Sequence, residues 1–383
     1  MDDKEYLTNK AFCPIPWTGI YYNSGNIRNC TRKLEKLGTL FDSSVHDLLK
    51  GEKNQEVKRK MLAGEPEPSC HECYELENGK NSYDIISDRI YYLKELRDVD
   101  KKIYDNPENH ELHQIDIRWS NVCNHACVYC DPYFSSMWAK ELNVDVKKPD
   151  QERLDELKQL VIDNAHQLKT VYMAGGEPLL MKQNLELLKI LQKVNPDVHL
   201  RINTNLSKTE TRVFEKLLEF KNVHWTISVE SMGEEFEYIR YGGNWSNWLD
   251  NLSKIKQLKH KITFNMLWTA LNPWTLFDCV EFLQNNGYHN NGFVIGPVYQ
   301  PDWMEIKNLP ETTLDELKKI LQEKIDQKPG YLLEDSYRNL LKHVNLPWEK
   351  KTDLLKKTLL EIDDRRGLDS RKIFTKVYEC LQD

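Results

Sequence analysis

Three cysteines stand in the run Asn121-Val-Cys-Asn-His-Ala-Cys-Val-Tyr-Cys130, so that Cys123, Cys127 and Cys130 share one short loop with C-x3-C-x2-C spacing. Such a loop can hold three irons of a four-iron, four-sulfur cluster, because thiolates are the preferred ligands of these clusters. A cubane capped by only three of them leaves one iron open, which permits chemistry as well as electron storage. The alternatives are a zinc site or three unrelated buried cysteines. Zinc closes with four ligands, and the nearest extra donor, His125, lies inside the loop itself. Gln114 to Ser120 alternates like a strand and Pro132 to Leu142 reads as a helix. The loop therefore follows the C-terminal end of a strand, the face on which β/α barrels build their active sites.

With Tyr129 placed just before the last cysteine, the loop resembles the signature of the radical S-adenosylmethionine (SAM) superfamily. The resemblance implies a four-iron cluster whose open iron takes the amino and carboxylate groups of SAM, with Tyr129 against the adenine. One βα unit later comes Val171-Tyr-Met-Ala-Gly-Gly-Glu-Pro178, similar to the family element that contacts the SAM amino group. Gly175 and Gly176 allow close backbone approach, Glu177 offers a carboxylate to an ammonium, and Pro178 follows. Taken alone, this run is equally a turn.

Four further runs read as strands, each followed by a helical pattern. Val198 to Asn205 ends in Asn203 and Asn205, assigned by resemblance to the SAM ribose. Val223 to Glu230 ends in Ser228 and Glu230, and Arg240 follows. A guanidinium there suits the SAM carboxylate through a bidentate fork; a surface arginine on an amphipathic helix is the alternative. Ile262 to Trp268 and Gly292 to Val298 supply the last two strands, the latter with Ile295-Gly-Pro297, where backbone groups can meet adenine. The expected fold is α/β: a partial (β/α)6 TIM-like barrel over residues 111–300, a small cysteine-rich α+β module and connector over 1–110, and a helical appendage over 301–383.

In the N-terminal part Cys13 and Cys30 bracket Gly25 as C-x11-G-x4-C, and Cys70-His-Glu-Cys73 adds a C-x2-C knuckle. Trp17 to Asn23 alternates as a strand, Ser24-Gly25-Asn26 turns the chain, and Ile27 to Cys30 returns beside it, which brings Cys13 and Cys30 towards one end. The arrangement resembles the twitch and SPASM auxiliary-cluster modules of radical SAM enzymes, although those usually follow the barrel. With four cysteines before residue 120, it implies one auxiliary four-iron cluster on Cys13, Cys30, Cys70 and Cys73. Spacing alone leaves a structural zinc knuckle on the same sulfurs, with His71 as a solvated neighbour or substitute ligand. Cys279 and Cys380 lie in amphipathic helical patterns and are read as packing residues.

Nine cysteines with cluster spacing point to metal rather than disulfides. No signal-like or long apolar segment occurs, so a cytoplasmic protein with no membrane span is expected. The 383 residues carry 40% hydrophobic and 30% charged residues and a net charge of -7, which suits a folded globular chain and argues against bulk nucleic-acid binding. Basic stretches such as Val57-Lys-Arg-Lys60 are read as wet helix faces, residues from about 78 to 109 as a connector that is partly helical from Asp84 to Arg97, and Thr312 or Thr313 as the cap of a helix running to Ile325.

The function implied by the resemblance is reductive cleavage of SAM to a 5′-deoxyadenosyl radical that takes hydrogen from a small-molecule or peptide substrate, with flavodoxin or ferredoxin as reductant. An auxiliary cluster favours oxidation or cross-linking; a redox-neutral epimerase or isomerase is the alternative within the class. The cysteine hairpin begins almost at once, which tilts the expectation to a small molecule or a peptide presented by another protein. From a different class, a non-catalytic iron-sulfur or zinc protein for electron transfer or assembly has no use for the Gly-Gly-Glu-Pro run or the Asn203-Thr-Asn205 strand end.

Overall fold

The computed structural model describes residues 8–33, 35–78 and 87–382. Two compact units divide the chain: residues 1–122, 145–202 and 210–223 form the first, and residues 123–144, 203–209 and 224–383 the second.

In the first unit the strands are β1 (Gly19–Asn23), β2 (Asn26–Arg28), β3 (Gly38–Thr39), β4 (Gln114–Arg118), β5 (Thr170–Met173) and β6 (His199–Thr204), laid side by side as β3-β2-β1-β4-β5-β6. The last two residues of β6 belong with the second unit. β1 and β2 form a hairpin closed by Ser24 and Gly25, both at positive φ (46° and 90°), the sign that two-residue hairpin turns require. On its other edge β1 runs parallel to β4, Tyr21 opposite Asp116. Ile115, Ile117, Val171, Met173, Leu200 and Ile202 are all fully buried on one face, as the period-2 alternation demands. Each such side chain contributes about 1.5–3 kcal/mol of burial.

Below the hairpin, Tyr104 packs edge to face on Phe12 and Trp17, which are tilted at 34° to one another, with centroids 5.2–5.7 Å apart, against Val57 and Met61. The reading of Val57-Lys-Arg-Lys60 as a wet face is corrected at Lys58 alone, since Arg59 is exposed. Lys58 is fully buried, its Nζ donating to the Asn109 carbonyl at 2.7 Å and lying 5.6 Å from the Trp17 ring. Burial brings its pKa down to about 8. The connector is helical over Asp88–Glu95, and residues 84–86 of the expected segment lie outside the described residues.

In the second unit β7 (Val223–Ser228), β8 (Lys261–Trp268) and β9 (Gly292–Pro297) are parallel neighbours, each preceded or followed by helix. The C-terminal part is helical, as expected, over Glu311–Asp326, Tyr331–Val344 and Thr352–Arg366. The first of these begins two residues ahead of the expected threonine caps: Pro310 is the cap, Glu311 favours the positive N-terminal end, and Thr313 is buried inside the helix. Cys279 is buried in the helix Thr275–Leu283, a packing residue as anticipated. The whole is the mixed α/β, partial-barrel class with a helical C-terminus. Among the described residues no helix is long and apolar enough to cross a membrane.

Candidate functional site: a cysteine loop and a four-cysteine recess

Cys123, Cys127 and Cys130 sit on a loop of the second unit whose backbone is held from several sides. Ala126 N and Val128 N donate to the carbonyls of Tyr241 and Ile239, both at 2.8 Å. Ser136 Oγ donates to the Cys123 carbonyl at 3.1 Å and accepts from Cys123 N, and Trp138 Nε1 donates to the Cys127 carbonyl at 2.7 Å. Ser135 Oγ, capping the helix Ser136–Glu141, also reaches the His125 carbonyl. Arg366, from the helix Thr352–Arg366, donates to the Ala126 carbonyl at 3.0 Å, pairs with Glu141, and lies 4.5 and 4.3 Å from the rings of Trp138 and Tyr241. Sequence reasoning missed this arginine, since it reaches the loop from 240 residues along the chain.

Burial pushes the thiols of Cys127 and Cys130 up, against the pull of the Arg240 charge on Cys127. They become ligands only on deprotonation, which bound iron would supply. His125 is buried with neither ring nitrogen hydrogen-bonded among the described residues, and burial followed by the Arg240 charge lowers its pKa to about 3. It is a neutral packing residue.

Several expected SAM residues of the second unit gather near this loop. Asn205 Nδ2 lies 3.9 Å from Cys123 Sγ and 3.2 Å from Asn124 Oδ1, and Ser228 Oγ is 3.5 Å from Asn203 Oδ1. Arg240 is buried, which removes the surface alternative, but it is not an open fork: its Nε and one terminal nitrogen donate to the two oxygens of Glu230, both at 2.6 Å. Tyr129 OH donates to Glu230 at 3.2 Å, and its ring lies 5.7 Å from the guanidinium. Although burial opposes its charge, Arg240 is held even more firmly protonated by Glu230. Glu230 and Arg240 form a buried pair, with the half-buried Tyr129 against it.

In the first unit the glycine turn behaves as its residues dictate. Gly175 has φ +113°, and a Cβ on Gly176 would stand 2.1 Å from the Val122 carbonyl oxygen, so the turn lies directly on the segment that leads into Cys123. Glu177 N donates to Val122 O at 2.7 Å. The Glu177 carboxylate is buried and accepts from Leu179 N at 3.1 Å, capping the short 3-10 turn Pro178–Leu180.

The first unit also draws Cys13, Cys30, Cys70 and Cys73 around a single recess, flanked by Lys33, Arg89 and Tyr92. Burial raises all four thiols, and Cys13 feels the charges of the other three. Lys33 N donates to Cys30 Sγ at 3.4 Å, while its side chain is 1% exposed with no hydrogen-bond acceptor for Nζ among the described residues. Among the described residues no three His, Cys, Asp or Glu donors are drawn tightly enough together to hold a single metal ion. A four-thiolate donor set beside an uncompensated buried cation suits an anionic iron-sulfur cluster.

GTP 3′,8-cyclase of Nautilia profundicola (strain ATCC BAA-1463 / DSM 18972 / AmH) is 24% identical over 182 residues, 46% of this chain and 54% of the relative. GTP 3′,8-cyclase of Sulfurimonas denitrificans (strain ATCC 33889 / DSM 1251) is 23% identical over 167 residues, 43% and 50% of the two chains. The chain spans about half the length of these relatives. Among solved structures, Streptococcus suis SuiB bound to S-adenosylmethionine aligns at TM-score 0.42 and 18% identity over 67% of this chain and 58% of that one. Native anSMEcpe with bound AdoMet aligns at 0.43 and 16%, over 56% and 60%. Residues 117–283, which contain Cys123, Cys127, Cys130 and the Gly175–Pro178 turn, match the radical SAM superfamily model.

Proposed function

We propose that the chain is a radical SAM enzyme with two four-iron clusters, one on Cys123, Cys127 and Cys130 and an auxiliary one on Cys13, Cys30, Cys70 and Cys73, that oxidises or cross-links a small molecule or peptide. The observation that carries the reading is the pairing of a rigidly held C-x3-C-x2-C loop with a separate recess lined by four cysteines and a buried lysine. When bound, the first cluster and SAM supply a 5′-deoxyadenosyl radical for hydrogen abstraction. The chain itself supplies position and exclusion of water: donors on every side fix the loop, Asn205 lies beside Cys123, and the Tyr129–Glu230–Arg240 unit forms a dry polar support. Lys33 offsets negative charge on the auxiliary cluster, and a reductant of the flavodoxin or ferredoxin kind feeds the first.

A redox-neutral reaction is the second reading, favoured by the two GTP 3′,8-cyclases among the relatives. Product analysis separates the two, because an oxidation delivers electrons to an acceptor and a rearrangement does not. The class itself is tested by incubating the anaerobically reconstituted, reduced chain with SAM. The reading expects 5′-deoxyadenosine and methionine, reduced at least about a hundredfold in Cys127→Ser by loss of a cluster ligand. Absence of 5′-deoxyadenosine with both a chemical reductant and flavodoxin would refute it.

A further inference from the structure

One side chain from each of five adjacent strands falls in a single row across the first unit. Arg28 on β2 is opposite Tyr21 on β1, Tyr21 opposite Asp116 on β4, Asp116 opposite Tyr172 on β5, and Tyr172 opposite Arg201 on β6. Directly opposed residues share a face, so Arg-Tyr-Asp-Tyr-Arg lines one side of the sheet while the buried aliphatic residues take the other. Arg118, two residues along from Asp116, joins the same face: its guanidinium is 3.3 Å from Asp116 and 5.0 Å from the Tyr21 ring. Arg28 lies 5.7 Å from the Tyr21 ring and Arg201 5.2 Å from that of Tyr172.

Such a row is costly to assemble for packing alone. Three guanidiniums face one carboxylate. Nε of Arg28 and Nε of Arg201 are shielded from water with no hydrogen-bond acceptor among the described residues. Buried cationic donors without acceptors cost stability unless a partner arrives. Flat guanidiniums held against phenol rings keep their forks in place, which suits bidentate recognition of an oxyanion. Burial, more than the neighbouring arginines can offset, raises the Asp116 carboxyl to about 6. The row also adjoins the cysteine recess: Tyr92 lines that recess and hydrogen-bonds Gln114, on the same strand face as Asp116.

We propose that Arg28, Arg118 and Arg201, flanked by Tyr21 and Tyr172, bind the oxyanion of the substrate, a phosphate or carboxylate, while Asp116 receives a hydroxyl or amino donor of the same molecule. This rests on the two-cluster enzyme reading for the word substrate, but the binding itself does not. The site narrows the substrate to a small molecule or peptide end with an anionic group beside a hydrogen-bond donor, placed next to the auxiliary recess.

The test is calorimetric titration of the reconstituted full-length chain with inorganic phosphate, inorganic pyrophosphate and acetate, without SAM or reductant. Saturable binding is expected; a preference for the phosphates identifies a phosphorylated substrate, and a preference for acetate a carboxylate. Arg201→Gln is expected to weaken binding about tenfold, the equivalent of one charge-assisted hydrogen bond, with Arg201→Lys between it and wild type. Asp116→Asn, which removes the carboxylate of the row, is expected to bind the same anion more tightly, a gain that misfolding cannot produce. No saturable binding by wild type, or equal binding by wild type and Arg201→Gln, would overturn the proposal. Because SAM cleavage is not part of the measurement, that outcome leaves the radical SAM reading standing.

Discussion

Glu230 and Arg240 illustrate what single residues reveal and conceal. The arginine's presence near the fourth strand is legible in the sequence, but its partner is not, since a guanidinium suits a ligand's carboxylate and a neighbour's carboxylate equally well. Removing one member of a buried ion pair strands the other. Glu230→Gln is therefore expected to lower unfolding free energy by about 3 kcal/mol, read from urea denaturation, and an unchanged midpoint would mean Arg240 finds another acceptor. The Gly175-Gly176 turn is more transparent, since two glycines before a Glu-Pro announce close backbone approach. Gly176→Ala is expected to displace the Val122 carbonyl and with it the cysteine loop, measured as loss of the iron held by Cys123, Cys127 and Cys130. Asp116 adds a pH dependence. Its folded pKa lies above the ordinary 3.8, so its contribution to stability is fully present below that value and is lost as pH rises through about 6. Between pH 5 and pH 7.5 the stability of wild type relative to Asp116→Asn should fall by about 1 kcal/mol, and a parallel pair of pH profiles would contradict the buried-carboxyl assignment.

Secondary structure was largely readable because strand and helix periods differ and the strands end at polar residues. All six expected barrel strands are present within two residues of their expected starts. The hairpin around Gly25 was equally plain, since Ser-Gly between alternating runs is a local signal. What the local pattern does not carry is pairing partner: β1 joins β4 over five residue pairs, which no spacing announces. For the same reason the row of Arg28, Tyr21, Asp116, Tyr172 and Arg201 escaped notice. Its members are far apart in sequence, and the clue was only that polar residues alternate with aliphatic ones in strands expected to be buried. A side chain at Gly25 would combine positive φ with a 2.4 Å approach to the Phe41 ring. Gly25→Ala is therefore expected to open the hairpin, separate Cys13 from Cys30 and release the metal of the auxiliary site, leaving the other cluster in place. Retention of all the iron would show that the hairpin does not define the recess.

At the scale of the molecule, seven of nine cysteines fall into two sets, three on the C-x3-C-x2-C loop and four around the recess, and the remaining two stand in helices. Their grouping into three and four was legible because C-x3-C-x2-C and C-x2-C are contiguous. The buried Lys33 and the clamp of Arg366 on the loop were not, as both depend on chain segments meeting in space. The central claim is that these two sets hold two separate clusters. Iron and zinc per chain, with Mössbauer spectra, measured on anaerobically prepared wild type and on the Cys123→Ala, Cys127→Ala, Cys130→Ala triple variant, test it most directly. The account predicts about eight irons and no zinc in wild type, falling to about four in the variant. About four irons falling to none, with zinc retained, would contradict it and make the N-terminal cysteines a structural zinc site.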